Sequence, residues 1–172
     1  QSAALKSAAN SVVITNYEGK IVWVNPALRK LTGYSWEELI GSRPSILNSG
    51  KHDESFFKDM WKTITSGENW HGEIINKKKN GDLYYEEMTI TPIRDEKGEL
   101  IQFVAIKQDI TKRKEAEELI KASENKFRSI AATATDAIIS ANNKGIIESW
   151  NNAAETIFGY TRDEAVGQSL DI

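Results

Sequence analysis

Short runs rich in apolar residues open the chain and predict two strands followed by a helix. The segments SVVIT at 11–15 and KIVWVN at 20–25 are rich in β-branched and aromatic residues, which favour strands. Gly19 lies between them, and glycine is the residue that most readily adopts the positive φ of a tight turn. Asn25 then stands where a helix N-cap belongs and Pro26 where the first helical residue belongs, so a helix is predicted to begin there.

The next part of the chain predicts a longer helix and three further strands. HDESFFKDMWKTITSG at 52–67 has its apolar residues at helical spacing and ends on a glycine. WHGEIIN at 70–76, LYYEEMTITPI at 83–93 and LIQFVAIKQDI at 100–110 have strand composition, and the Asn-Gly pair at 80–81 is a strong hairpin signal. These elements predict an α+β fold, with a five-stranded antiparallel sheet and small helices inserted between its second and third strands.

The last predicted strand carries apolar residues on both of its faces. Phe103 and Ala105 point to one side and Val104 and Ile106 to the other, because side chains alternate along a strand. A sheet with one wet face would alternate apolar and polar residues, so both faces are expected to be covered. The small helices cover one face. A helix or cap predicted at residues 1–9, or a second subunit, would cover the other.

Residues 112–130 predict a helical linker, since they are nearly all strong helix formers. Apolar or small residues recur there with coiled-coil spacing for about two heptads: Ala116, Ile120, Ser123, Phe127 and Ile130. The same spacing also suits an ordinary amphipathic connector, and both interpretations stay open.

The chain contains a repeat of domain length. Residues 10–42 align with 136–168 without a gap, and NPALRKLTGYSWEELIG at 25–41 is matched by NNAAETIFGYTRDEAVG at 151–167. A period of this length is far longer than that of a solenoid repeat. We therefore predict a first domain at 10–111, the helical linker at 112–130, and the N-terminal part of a second, similar domain at 131–172.

Composition excludes several classes of function. The 172 residues are 40% hydrophobic and carry a net charge of -3, which supports a packed core and argues against a nucleic-acid partner. Cys is absent, so disulfides, thiolate metal sites and cysteine nucleophiles are excluded. No apolar run approaches the roughly 20 residues of a membrane span, so we expect no membrane insertion of this segment and a cytoplasmic location. With only two His residues, a metal site is not expected.

No constellation of residues predicts catalysis. The adjacent Glu86 and Glu87 point to opposite faces of a strand, so they cannot act as a carboxylate pair. Glycine-rich phosphate loops and nucleophile-base pairs are missing as well. We expect this segment not to be an enzyme, and any catalysis to lie in an effector domain elsewhere in a longer chain.

Three stretches together resemble the PAS family of sensory domains. They are the helical stretch at 25–41, NKKKNGDLYYEEMTITPI at 76–93, and IKQDITKRKEAE at 106–117, where Asp-Ile-Thr follows the last strand. The resemblance implies a first PAS domain, a signalling helix and the opening half of a second PAS domain. It implies a sheet of order 2-1-5-4-3 with a ligand cavity between its inner face and the small helices. It also implies a role as a sensor or dimerisation module.

Within that family the first domain is most similar to flavin-binding members. These are the light-sensing LOV domains and the FAD-binding redox sensors that regulate nitrogen fixation and methane oxidation. The LOV photoadduct requires a cysteine at a position where this chain has Pro44, which excludes cysteinyl photochemistry. Redox sensing through bound FAD or FMN stays open.

The resemblance and the strand pattern together nominate five cofactor-binding residues. Asn76 matches a flavin-contacting Asn of similar domains, Glu86 takes the place of a second one, and Lys107 takes that of a Gln near the reactive ring nitrogen. Asn48 matches a residue that contacts the ribityl chain. Trp70 shares a strand face with Asn76 by the period of two and could stack on the ring.

Each of these residues also has a structural interpretation. Asn76 and Asn48 suit turns, Glu86 and Lys107 could pair across strands, and Trp70 could belong to the core. Haem is the rival cofactor, because some PAS domains ligate iron with a His on the long helix. His52 and His71 miss that position, which aligns nearer Phe56, so haem is disfavoured.

The resulting functional hypothesis is a sensory input module of a bacterial- or archaeal-type signal transduction protein, such as a histidine kinase or a cyclic-dinucleotide enzyme. It would sense redox, oxygen or light state through a flavin and relay the change through residues 107–111 into the linker helix. A homodimer formed through the outer sheet face and the helices is expected. The alternatives are a ligand-free dimerisation or protein-interaction module and a sensor of another small molecule.

Overall fold

The computed structural model describes residues 9–170, and the chain divides between Lys114 and Glu115 into two compact units. The helix or cap predicted at residues 1–9 lies, except for residue 9, outside the described residues. The elements described for the first unit are, in chain order, β1 (Ser11–Asn16), β2 (Ile21–Val24), α1 (Pro26–Thr32), α2 (Trp36–Leu39), a 3-10 helix (Pro44–Leu47), α3 (Glu54–Ser66), β3 (Trp70–Lys77), β4 (Leu83–Arg94) and β5 (Leu100–Asp109).

The five strands form one sheet of order β2-β1-β5-β4-β3 in which every neighbouring pair is antiparallel. The predicted fold class and strand order are therefore confirmed. The small helices α1, α2 and α3 and the 3-10 helix all lie in the connection between β2 and β3. This long crossover supplies the layer that covers the inner face of the sheet.

Two apolar clusters pack between the sheet and its helices. One joins β1 and β2 to α1 and α2 and contains Val13, Ile21, Val24, Leu28, Leu39 and Leu47. The other joins α3 to β3, β4 and β5 and contains Ile64, Ile74, Met88, Ile90 and Phe103. The outer face is covered less fully, because Ile106 is 47% exposed. The cover predicted for both faces is thus incomplete at Ile106 in the single chain.

Asn25 connects the start of α1 to strand β1. Its side-chain oxygen accepts hydrogen bonds from the backbone N–H of Leu28 (3.1 Å) and of Val12 (3.0 Å), and its amide donates to the carbonyl of Asn10 (2.9 Å). The side chain is fully buried. One amide therefore caps the helix and also fixes the helix to the sheet.

The second unit has the same arrangement of hydrogen bonds around an asparagine. Asn151 accepts from the backbone N–H of Ala154 (2.9 Å) and of Ile138 (2.9 Å), and donates to the carbonyls of Ala131 and Asp136. The repeat seen in the sequence is therefore a repeat of hydrogen bonding as well as of residues. Elements of this part of the chain are α4 (Thr111–Thr133), which begins in the first unit, β6 (Ile139–Ala141), β7 (Ile147–Trp150), α5 (Asn152–Phe158) and α6 (Arg162–Ala165).

Helix α4 has no buried side chain. Ile120, Phe127 and Ile130, three of the residues with coiled-coil spacing, are each more than half exposed in the single chain. Coiled-coil pairing and an amphipathic connector both remain predictions for this helix. Across residues 9–170, none of the helices combines the length and the apolar composition that a bilayer span requires.

We predict that Asn25→Ala lowers the free energy of unfolding of the first unit by about 2–4 kcal/mol, because it removes a helix cap and leaves two buried N–H groups unpaired. Chemical denaturation measures the change. Asn80→Ala is the matched control, since Asn80 is exposed in the β3–β4 turn and makes only local bonds with Asp82. Equal, small losses in the two variants would contradict the role assigned to Asn25.

Candidate functional site

A cavity of about 420 Å³ lies between the inner face of the sheet and the helical layer. This volume is within the range of about 300–1,000 Å³ typical of small-molecule sites. Most of the wall is apolar. It is built from inward-facing residues of the strands and from one side of α3, namely Val13, Ile74, Met88, Ile90, Phe103 and Ala105 from the sheet and Phe57, Met60, Trp61 and Ile64 from the helix.

Strand alternation explains why these residues meet. In β4 the buried residues are Tyr84, Glu86, Met88 and Ile90, every second position, and β3 turns Ile74 and Asn76 inward in the same way. The inner face therefore changes from apolar to polar along each of these strands. The polar residues gather at one end of the cavity.

At that end Glu86 holds two other side chains. Its Oε1 accepts a hydrogen bond from Asn76 Nδ2 at 2.7 Å and from Lys107 Nζ at 2.6 Å. All three residues are buried, with Glu86 fully so. A carboxylate and an ammonium group in such surroundings are tolerated because each neutralises the other.

The hydrogen bonds to Glu86 leave complementary groups available to a ligand. Asn76 and Lys107 both line the cavity. The amide nitrogen of Asn76 donates to Glu86, and among residues 9–170 its Oδ1 has no hydrogen-bond donor, so it can accept one from a ligand. The Lys107 ammonium has three N–H donors and uses one of them on Glu86. This end of the cavity thus suits a group that offers a donor beside an acceptor.

Tyr84 is a member of this cluster that sequence reasoning missed. It is fully buried on the same strand face as Glu86, and burial raises the pKa of its phenol, with the nearby Glu86 charge adding to the effect. In the described part of the chain neither the Tyr84 hydroxyl nor Glu86 Oε2 has a hydrogen-bond partner. The period of two from Glu86 would have identified Tyr84 as an inward-facing residue. Buried polar atoms without partners are costly, but neither Tyr84 nor Glu86 lines the cavity.

Two of the five predicted binding residues lie outside the cavity wall. Glu86 is behind Asn76 and Lys107 and does not line the cavity, so it positions their side chains. Trp70 does not line it either. Its indole packs edge-to-face on Phe56 at 5.8 Å and lies over Gly72, where an added Cβ would come within 2.7 Å of the ring. Because Gly72 has no side chain, the indole of Trp70 can pack along its own strand. Trp70 therefore has the core packing role that the sequence left open for it.

Asn48 lies at the cavity wall and is also a turn residue. Its Oδ1 accepts from the Gly50 N–H at 2.8 Å, and its backbone pairs with Asn76 on β3 in an isolated bridge. Its side-chain nitrogen is the group left for a ligand. The segment after the 3-10 helix is thereby attached to the free edge of the sheet.

Neither histidine lines the cavity. His52 Nε2 accepts the Ile75 N–H at 2.9 Å, and the ring stacks on Phe56 at 4.3 Å. His71 contacts Thr89 and Glu87 and is exposed. Within residues 9–170 no group of His, Cys, Asp and Glu side chains has the arrangement of a metal site.

The strand that carries Lys107 leads directly into α4. Asp109 Oδ1 accepts from the Thr111 N–H (2.9 Å) and hydroxyl (2.6 Å), and Thr111 Oγ1 accepts from the Tyr85 N–H (3.0 Å). Ile110 between them is buried. The start of the helix is therefore bonded to β4, the strand of Glu86.

A charged contact holds the first turn of α4 against β3. Glu73 lies 2.6 Å from Lys114 Nζ and 3.1 Å from Arg113 Nη2. These cations, Lys114 first, hold the pKa of the Glu73 carboxyl below its ordinary value. The contact therefore persists near neutral pH and weakens as the pH falls through the lowered pKa.

Comparisons with known proteins agree with this architecture. Residues 9–112 match the family described as PAS domain, and residues 125–172 match the one described as PAS fold. The nitrogen fixation regulatory protein of Klebsiella oxytoca is 31% identical over 107 residues, which are 62% of this chain and 22% of that protein. The blue-light-activated histidine kinase of Brucella anthropi is 28% identical over 113 residues, 64% of this chain and 23% of that one.

A solved structure has the same fold. The crystal structure of the PAS domain of a protein from Colwellia psychrerythraea matches with a TM-score of 0.59 and 28% identity, and the match covers 63% of this chain and 92% of that one. The chain spans only 22% and 23% of the length of the two curated relatives named above.

We predict that Glu86→Gln lowers the free energy of unfolding by about 3–5 kcal/mol, because it leaves the Lys107 ammonium buried without a counter-charge. Glu87→Gln is the matched control on the opposite strand face and should change stability by about 0.5 kcal/mol or less. Denaturant unfolding measures both.

The double variant Glu86→Gln with Lys107→Met tests the cause of that loss. Since it removes both charges, it should recover a large part of the stability. A double variant that is as unstable as the sum of its single changes would show that the two charges act independently.

Proposed function

Because the chain belongs to the PAS domain family, we propose that its first unit is the flavin-binding sensory input module of a larger signal transduction protein. The observation that carries this proposal is the cavity, whose apolar walls end at Asn76 and Lys107. The chain is similar to a nitrogen fixation regulatory protein and to a blue-light-activated histidine kinase. A histidine kinase or a cyclic-dinucleotide enzyme is the proposed kind of effector.

The chemistry of the polar end supports a flavin. The isoalloxazine ring system is a flat apolar body with an N–H between two carbonyls along one edge. Asn76 Oδ1 can accept from that N–H, and the unused N–H groups of Lys107 can donate to a carbonyl oxygen. Glu86 holds both side chains in place, because they donate to the same carboxylate oxygen.

The proposed signal is redox state. The chain contains no Cys and has Pro44 in the cavity wall where light-sensing relatives carry the adduct cysteine, so a thiol adduct cannot form. A bound flavin supplies reversible reduction. Lys107 lines the cavity whereas its partner Glu86 lies behind it, so the ammonium is the nearer of the two charges to a bound ring and stabilises the negative charge that reduction adds.

The proposed route of the signal is short. Lys107 and Thr111 are separated by three residues, and Thr111 is the first residue of α4. A change in the hydrogen bonds of Lys107 with Glu86 acts on β5 and β4 together, and both strands are bonded to the start of α4. The contact of Glu73 with Arg113 and Lys114 would then favour one of two helix positions.

We predict that the purified protein, as isolated or after incubation with flavin, shows the visible absorption of a protein-bound oxidised flavin. Asn76→Ala should lower flavin affinity about tenfold or more while the far-UV circular dichroism is kept, because it removes the acceptor from the polar end. Asn80→Ala, at an exposed turn, should bind as the parent does. A folded protein that is colourless after incubation with excess FAD and FMN and removal of the unbound flavin would overturn the proposal and favour a ligand-free dimerisation module.

We further predict that Lys107→Gln makes the midpoint potential of the bound flavin more negative, since the reduced, more negative form loses its neighbouring cation and is left near the unpaired Glu86 carboxylate. Spectroelectrochemical titration measures the potential. Lys77→Gln is the control, because Lys77 is exposed and lies outside the cavity wall. An unchanged or more positive potential in Lys107→Gln would contradict the role given to this lysine.

A further inference from the structure

The segment between the 3-10 helix and α3 crosses the free edge of the sheet. We propose that residues 48–52, the edge strap, form a pH-sensitive closure: neutral His52 holds the strap on β3, and protonation of the imidazole releases it. The chain would then respond to acidification as a second input. This inference stands apart from the flavin proposal, because it needs no ligand in the cavity.

Strand β3 ends the sheet, so in the described part of the chain one of its edges has no neighbouring strand. Successive residues of a strand direct their backbone groups to opposite sides. In the pairing of β3 with β4, the N–H and C=O of Ile75 are directed outward. An exposed edge of this kind pairs with other chains unless it is covered. The edge strap provides this cover.

Two side chains of the edge strap satisfy both backbone groups of Ile75. The Ser49 hydroxyl donates to the Ile75 carbonyl oxygen, and His52 Nε2 accepts a hydrogen bond from the Ile75 N–H at 2.9 Å. At the next residue of the strand, the backbone of Asn48 pairs with that of Asn76 in the isolated bridge. The strap therefore takes the place of a further strand at two residues of β3.

The bond to His52 exists only while the imidazole is neutral. A ring nitrogen that accepts a hydrogen bond carries no proton, so the proton of neutral His52 is on Nδ1. Protonation of Nε2 places a second N–H against the N–H of Ile75, and repulsion replaces the bond. Because an imidazole changes its charge between about pH 5 and pH 8, the closure depends on pH in that range.

Aromatic residues of α3 hold the imidazole in position. The His52 ring stacks on Phe56 with centroids 4.3 Å apart, and it lies edge-on to Phe57 at 6.2 Å. The side chain is partly buried. The ring is thus fixed beside β3, and a charge on it acts directly on the Ile75 N–H.

The charged neighbours of His52 on the strap and on α3 do not titrate with it. Lys51 precedes it, and Asp53 follows it as the N-cap of α3. A hydrogen bond from the Phe56 N–H, and after it one from the Ser55 hydroxyl, hold the pKa of the Asp53 carboxyl below its ordinary value. Asp53 is therefore ionised throughout the range in which an imidazole titrates, and lysine side chains carry their charge there as well.

On β3 the charged residues nearest to Ile75 in sequence are Glu73 and Lys77, one on each side. Lys114 Nζ lies 2.6 Å from the Glu73 carboxylate and keeps the pKa of that carboxyl below its ordinary value. Lys77 is exposed. The imidazole is thus the group around the strap whose charge changes. Because Glu73 also connects β3 to the first turn of α4, release of the strap acts on a strand that the output helix contacts.

Release of the edge strap also changes the cavity. Asn48, its first residue, lines the cavity wall. Within the strap, Asn48 Oδ1 accepts from the Gly50 N–H at 2.8 Å, and Ser49 Oγ accepts from the Lys51 N–H at 3.3 Å. These bonds do not involve β3, so they persist when the contact with Ile75 is lost. The strap can therefore move as a unit, and one part of the cavity wall moves with it.

The experiment measures hydrogen exchange of the Ile75 amide by NMR at about pH 7.5 and about pH 5.5, as protection factors that correct for the intrinsic effect of pH. Ile75 should lose about tenfold in protection at the lower pH, as expected for the loss of a hydrogen bond. The amide of Ile74 points to β4 and should keep its protection. Asn48 and Gly50 should show microsecond-to-millisecond exchange at the lower pH only.

Two variants separate titration from simple loss of a contact. His52→Gln supplies an oxygen that can accept but does not titrate, so the difference between the two pH values should disappear. His52→Phe keeps an aromatic contact with Phe56 and has no acceptor, so Ile75 should be weakly protected at both pH values. His71→Gln is the matched control, because His71 is the other histidine, lies on β3 and is exposed. It should keep the pH profile of the parent.

Equal protection of Ile75 at both pH values in the parent would overturn the proposal. A pH difference that persists in His52→Gln, one that disappears in His71→Gln, or a well-protected Ile75 in His52→Phe would overturn it too. No flavin is added in these measurements. The pH response can therefore stand where flavin binding fails, and the reverse, so the two proposals are tested separately.

Discussion

The pairing of Glu86 with Lys107 is the interaction on which the inner face of the sheet depends. Two opposite charges are placed where water is largely excluded, and they are tolerated only because they meet at 2.6 Å. Asn76 is held by the same oxygen. The three residues come from three neighbouring strands and meet diagonally, since Met88 is opposite Lys107 and Tyr84 is opposite Asn76 in the register. A slip of one residue in any strand would turn its polar group to the outer face.

The same cluster determines what the cavity can bind. Because Glu86 engages one N–H of Asn76 and one of Lys107, the cavity is left with an acceptor and unused donors rather than with a free charge. Its apolar walls can bury the apolar part of a ligand, and its polar end can orient that ligand through hydrogen bonds. The strands of Glu86 and Lys107 also carry the bonds that start α4, so the binding chemistry and the output helix share two strands.

The sequence nominated residues for the candidate site, but it did not predict which of them line the cavity. Asn76 and Lys107 line the cavity, and Asn48 lies at its wall. Glu86 was expected in the same layer. It lies behind them instead. The alternation of side chains along a strand predicts which face of the sheet a residue is on, but not whether it reaches the cavity. Trp70 shows the same limit. Alternation predicted the face of its side chain, but the indole packs toward Phe56 because Gly72 leaves space for it. Tyr84 was overlooked although the same period of two leads to it from Glu86.

Local patterns by themselves determined the order of strands and helices along the chain, the cap at Asn25 and the repeat, because turns, caps and alternation depend on residues close together in the chain. Only the tertiary structure decided that a glycine in the first turn, an arginine before the 3-10 helix and a tryptophan on α3 meet in the cavity wall. These residues are distant in sequence and have no common period. Their meeting follows from how the long connection between β2 and β3 folds over the sheet, which depends on the packing of the whole domain.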